Sequence, residues 1–215
     1  MVTVNNILEI ENHLNGIKVV VFDLDDTLYS EKEYVKSGYK KIAQMLPQCK
    51  NVEKNLWDFF EQKKKAIDEL LLLNNIYSDE LKEACLFAYQ NHEPQISLYS
   101  GIKEMLVRLR KNGYLIGIIT DGRPNGQKAK IKALGLYELV DNIIITDELG
   151  GIEKRKPCPC AFEVMKDHFG CQYKEMVYIG DNINKDFIPC QQLGIKSIYF
   201  ANNEGLYYQP KKEEK

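Results

Sequence analysis

Val19-Val20-Val21-Phe22-Asp23-Leu24-Asp25-Asp26-Thr27 is the stretch on which the reading of this chain turns. Four apolar, β-prone residues run directly into carboxylates. A short continuous apolar run of this kind reads as a strand buried on both faces, as in parallel sheets. Open α/β sheets place their ligands just beyond the carboxyl ends of such strands. Two carboxylates two residues apart at that point are costly to bury unless a cation or a hydrogen-bond shell offsets them. The expected cation is Mg²⁺, which prefers oxygen ligands.

The chain has 215 residues, and that length fits one core domain with a modest insertion. Its net charge of -2 gives no general pull toward nucleic acid or an anionic membrane. No apolar run approaches the roughly 20 residues that span a bilayer, and the N-terminus lacks a basic-then-apolar leader. The 6 cysteines are scattered with no Cys-x-x-Cys, which points to a reduced, cytoplasmic protein. Cys158-Pro159-Cys160 has no second ligand pair at zinc-site spacing. Oligomeric state is not legible.

Outward from the first strand (Ile17 to Phe22), residues 1–16 space Ile7, Leu8, Ile10 and Leu14 for a short amphipathic helix packed on the core. Residues 31–93 change character: they hold only Gly38 and Pro47 as breakers and show helical periodicity. Helices are predicted over Glu31–Leu46, Val52–Leu73 and Ser78–Asn91. Lys63-Lys64-Lys65 reads as a solvated helix face, and Trp57, Phe59 and Phe60 as core of this all-helical insert. After Pro94, helices alternate with strands at Tyr114–Ile119, Ile143–Ile145, Met176–Ile179 and Ser197–Phe200, the pattern of a parallel sheet with helices on both faces. The tail from Asn202 is polar and expected to be loose after Pro210.

Polar residues follow several of these strands: Asp23 and Asp25, then Thr120-Asp121-Gly122, then Gly180-Asp181-Asn182 with Asp186. Lys156-Pro157 opens a helix after the third core strand. Strand ends lie side by side in a parallel sheet, so these scattered residues can share one site. The set resembles the haloacid dehalogenase-type (HAD) hydrolase superfamily. Asp23-Leu24-Asp25-Asp26-Thr27 matches its Asp-x-Asp-x-Thr motif, Thr120 its strand-ending hydroxyl, Lys156 its lysine, and Gly180-Asp181 through Asp186 its Gly-Asp-x-x-x-x-Asp. All four stand in order over about residues 17–200, each in its expected context.

The resemblance implies a Rossmann-like, doubly wound core over residues 1–29 and 95–215, with a helical cap over 30–94. It implies Asp23 as nucleophile and Asp25 as general acid, then base. Mg²⁺ would be held by Asp23, Asp181 and the carbonyl of Asp25, with Asp186 binding directly or through water. Thr120, Lys156 and the backbone amides of Leu24 and Asp121 would hold phosphoryl oxygens. Asp26 and Asp121 are read as turn- and loop-forming residues. Arg123 either forks a second anionic group of a substrate or forms a surface ion pair. His13, His92 and His168 read as surface or packing residues. Tyr29, Lys32 and Tyr34 are candidate substrate contacts, and Gln127 and Lys130 also resemble capped phosphatases.

Asp25 argues against carbon–halogen cleavage, because an alcohol leaving group needs a proton. The expected activity is hydrolysis of a small phosphorylated metabolite, a sugar phosphate or a nucleotide, through an aspartyl-phosphate. A phosphomutase and a non-enzymatic binding or regulatory role remain as alternatives. A receiver module is disfavoured, since its phosphorylated Asp lies mid-chain and it has no helical insert.

Overall fold

A computed structural model of the chain describes residues 1–208. The expected loosening after Pro210 lies outside the described residues. The sheet comprises β1 (Val2–Val4), β2 (Val19–Phe22), β3 (Leu115–Thr120), β4 (Asn142–Ile145), β5 (Met176–Gly180) and β6 (Lys196–Phe200). Its order is β1-β6-β5-β2-β3-β4, and every pairing is parallel. The doubly wound α/β architecture read from the sequence is the one observed. Among the described residues, no helix is long and apolar enough to cross a membrane.

Period-two alternation explains why the strands read as unbroken apolar runs. Val20, Phe22, Ile118 and Ile179 point to one face, against the 3₁₀ turn Ile7–His13 and the helices α5 (Ile102–Lys111) and α6 (Pro124–Ala133). Val19, Val21, Ile119 and Tyr178 point to the other, against α7 (Cys160–Phe169) and α8 (Ile188–Leu193). Both faces are covered, so neither needs polar residues.

Residues 31–90 form α1 (Glu31–Met45), α2 (Val52–Glu61), α3 (Ala66–Leu73) and α4 (Asp79–Gln90). They close around their own apolar cluster, including Tyr39, Ile42, Leu56 and Leu70, with Trp57, Phe59 and Phe60 packed against it. The single helix predicted over Val52–Leu73 is broken. Lys63 takes a left-handed φ of 57°, and Lys63, Lys64 and Lys65 lie exposed in the break instead of on a helix face. The N-terminal reading also needs correction. Val2–Val4 pairs with β6 as an edge strand, whereas the amphipathic stretch packs Ile7, Ile10 and Leu14 on the core as expected, its residues Ile7–His13 forming a 3₁₀ helix. Three residues are too few for periodicity to separate a strand from a helix.

The loop after β2 is fixed from a distance. Asp26 is buried with φ 53°. Its carboxylate accepts from the backbone N–H of Glu31 (2.9 Å) and of Leu206 (2.7 Å). Asn202 Nδ2 donates to the Asp26 carbonyl (2.8 Å) and to the Tyr99 hydroxyl (2.9 Å). The polar stretch from Asn202 is therefore a strap over the first loop, and Asp26 is the structural residue expected. Replacing Asn202→Ala should lower stability by about 1–3 kcal/mol, because a buried carbonyl loses its donor. A urea titration checks this as a lower midpoint at unchanged slope.

Candidate active site

The register brings the strand ends level, with Phe22 opposite Ile118 on one side and Ile179 on the other. Asp23 follows directly, its N–H bonded to the Ile179 carbonyl at 2.8 Å. Thr120 ends β3 beside it, and Asp181 leaves β5 on the opposite side. Gly180 is required here, since a Cβ would stand 2.5 Å from Asp186 Oδ2.

Lys156 joins these ends. Its side chain is fully buried. Its ammonium donates to the Asp23 carboxylate and to the Tyr178 hydroxyl (2.7 Å), and lies 2.9 Å from Asp186 Oδ1. Burial opposes the charge, but the anions of Asp186 and Asp23 outweigh it and hold the ammonium well above its ordinary range. The Lys156 N–H donates to Asp121 Oδ1 at 3.0 Å, which fixes the turn that aims the side chain.

Asp23, Asp181 and Asp186 each offer an oxygen within 4.8 Å of the others, and all three are buried. Burial pushes the Asp23 carboxyl up to about 7, and pushes Asp181, crowded by Asp23 and Asp186, up to about 9. Asp181 Oδ2 is buried without a hydrogen-bond partner, and Asp186 Oδ1 has only its ion contact with Lys156. Crowded carboxylates with orphaned oxygens are the environment a hard divalent cation relieves, so the donor set fits Mg²⁺.

Asp25 faces elsewhere. Its carboxylate takes hydrogen bonds from Tyr29, from Gln127 Nε2 (2.9 Å) and from Lys130 Nζ (2.7 Å). Burial raises its pKa, but the Lys130 charge and these donors win and hold it below the ordinary range. The Asp25 side chain is thus outside the acidic cluster, and only its carbonyl is left for the metal role expected of this residue. Gln127 also donates to Thr120 Oγ1 and to the Asp121 carbonyl. Gly122, at φ 138°, leaves room for it, since a Cβ there would meet Gln127 at 3.3 Å.

A cleft of about 220 Å³ opens over Asp25, lined by Glu31, Tyr34, Gln90, Arg123, Gln127 and Lys130 among others. Burial, with repulsion from Asp25, pushes Glu31 up to about 8. Arg123 is exposed at its rim and has no carboxylate partner among the described residues, so the surface ion pair is not formed. Of the candidate contacts, Tyr34 lines the cleft, Tyr29 binds Asp25, and Lys32 does neither. His92 is a packing residue against Tyr34 and Tyr89. Leu24 and Asp121 donate no backbone hydrogen bond among the described residues.

The sequence reading missed Glu31, Tyr178 and Lys185. Lys185 Nζ lies 3.0 Å from Asp121 Oδ2, and its position directly before Asp186 was the available signal. Tyr178 is one more apolar-looking strand residue until its hydroxyl is seen on Lys156. Asp121 proves a hub: besides Lys156 and Lys185 it accepts from the Thr146 hydroxyl at 3.0 Å.

The profile of the family described as haloacid dehalogenase-like hydrolase matches residues 20–200. A glyceraldehyde 3-phosphate phosphatase of Pyrococcus furiosus is 29% identical over 205 residues, covering 87% of this chain and 82% of its own. The human N-acylneuraminate-9-phosphatase is 24% identical over 216 residues, covering 90% and 86%. A HAD-type hydrolase of Bacillus subtilis, solved bound to magnesium, shares the fold with a TM-score of 0.65 at 18% identity, covering 92% of this chain and 91% of its own. With its four motifs gathered at one sheet edge and the profile spanning nearly the whole core, this chain belongs to the haloacid dehalogenase-like hydrolase family.

Proposed function

We propose that the protein is a phosphatase that hydrolyses a small phosphorylated metabolite through an aspartyl-phosphate on Asp23. The observation that carries this is the contrast between two carboxylates two residues apart. Asp23 is paired with the buried Lys156 within the acidic cluster, while Asp25 stands outside it at the cleft. The phosphatase names of relatives that span over four-fifths of this chain support the same reading.

In the first half-reaction an Asp23 oxygen attacks phosphorus, the bond to the leaving oxygen breaks, and Asp25 gives that oxygen its proton. In the second, Asp25 takes a proton from water, whose oxygen attacks phosphorus and releases Asp23. Lys156, the Thr120 hydroxyl and the amides of Leu24 and Asp121 hold the phosphoryl oxygens. Lys130 keeps Asp25 ionised, the form the second half needs; substrate must therefore loosen that pair before the first. Mg²⁺ held by Asp23, Asp181 and Asp186, with the Asp25 carbonyl, would neutralise charge between nucleophile and phosphate.

Residues 30–94 act as a cap on a core of 1–29 and 95–215, excluding bulk water when the cleft is filled. A cleft of about 220 Å³ is smaller than the roughly 300–1,000 Å³ of sites for drug-sized ligands. That favours a sugar phosphate or smaller compound over a nucleotide, with Arg123 free to meet a second anionic group on it. The free cysteines suit a reducing, cytoplasmic setting.

Phosphate release from triose, pentose and hexose phosphates and nucleotides, with Mg²⁺, tests the reading. The small sugar phosphates should be hydrolysed and the nucleotides spared. Asp23→Asn should stay folded and lose about a thousandfold or more of kcat; equal turnover by that variant refutes the nucleophile. EDTA should stop release and added Mg²⁺ restore it.

A pH dependence follows from the raised carboxyls. Asp23 at about 7 and Asp181 at about 9 bind protons in the folded, metal-free protein that the unfolded chain has already lost above pH about 4. Folding then takes up protons, so the stability of the chelated protein falls as pH rises toward about 9. Urea midpoints in EDTA should be lower at pH 8.5 than at pH 6, and Mg²⁺ should remove most of the difference.

A further inference from the structure

Lys185 is a cation near the acidic cluster that the mechanism above does not use. It lies on the loop between β5 and α8, directly before Asp186, with its backbone N–H bonded to the Asn182 carbonyl at 3.3 Å. Its ammonium reaches across to the loop after β3 and meets Asp121 Oδ2 at 3.0 Å. Asp121 follows Thr120, and its other oxygen holds the Lys156 N–H at 3.0 Å and the Thr146 hydroxyl at 3.0 Å. One carboxylate thus fixes the turn carrying the first ammonium and the head group of a second. The Lys185 side chain keeps 32% of its surface exposed, against none for Lys156. It is therefore tethered by a carboxylate and only partly buried. Its charge also acts directly on Asp23.

We propose that Lys185 is a second phosphoryl-binding ammonium, held over the site by Asp121 as its positioning residue. This rests on the phosphatase reading and deepens it. Lys156 is already shared between Asp23 and Asp186, so a phosphate dianion arriving beside Asp23 meets a largely neutralised ammonium. The carboxylates of Asp23 and Asp186 that share this ammonium still repel the dianion. A cation with a single partner and a partly exposed side chain offsets that repulsion, and an ammonium suits three oxygens that change angle during transfer, because its donors rotate. An Asn in place of Asp121 would serve the Lys156 N–H equally well. The carboxylate is needed for Lys185.

The test uses the full chain loaded with Mg²⁺ and inorganic phosphate as the probe, with calorimetric Kd beside KM and kcat on the best sugar phosphate. Lys185→Met should weaken phosphate binding about tenfold to hundredfold, the range for a lost charged hydrogen bond, and raise KM more than it lowers kcat. Lys185→Arg should recover most of the loss, with urea midpoints unchanged in both. Wild-type phosphate affinity in Lys185→Met overturns the proposal. So does a loss matched by a falling urea midpoint and reproduced by Asp121→Asn without rescue by Arg, which marks Lys185 as a loop tether only. If wild-type protein neither binds phosphate nor releases it from any compound, the phosphatase reading itself fails, and the proposal with it.

Discussion

One buried ammonium organises this molecule. Lys156 has no exposed side-chain surface, and its partners come from three different strand ends or the loops after them. Without it, Asp23, Asp181 and Asp186 would be a knot of mutually repelling groups in a dry interior, each with desolvation to offset. With it, the parallel sheet can end in carboxylates at all. The cost is large enough that the surrounding apolar cores must be complete, and both faces of the sheet are covered by packed helices.

Two residues of separation suffice to make two chemistries. Asp23 ends the regular backbone and shares the cluster's cation, which leaves burial in command of its proton. Asp25 lies beyond the strand, close to the left-handed Asp26, and turns to Lys130, Gln127 and Tyr29. One carboxyl is pushed up and the other held down, the separation that lets one site supply both a nucleophile and a proton carrier. Gln127 bridges the second to Thr120, which fixes the hydroxyl relative to the proton carrier.

What the sequence displayed was whatever lies near in the chain. Strands β2 to β6 announced themselves by apolar runs, and motif residues stood at the ends of β2, β3 and β5. Helices of the insert showed through their periodicity, but the break at Lys63 did not, because a left-handed residue without glycine carries no local signature. Val2–Val4 was invisible for a different reason: its identity as a strand comes from β6, nearly two hundred positions away. Asn202 is the extreme case. A polar residue in a polar stretch gives no hint that it is buried against Asp26 and Tyr99. Lys185 was readable as a charge beside a motif, but its partner Asp121 is supplied by tertiary structure alone.

The strap from Asn202 to Leu206 has a consequence for how the molecule is made. Asp26 is synthesised 176 residues before the side chain that holds its carbonyl. While the intervening chain emerges from the ribosome, the sheet's central strands can pair, yet the loop carrying both reactive carboxylates lacks its last fasteners. The site is therefore completed only after β6 has docked and drawn the strap across it. A nascent chain stalled before that point would hold every motif and still present an unfinished centre.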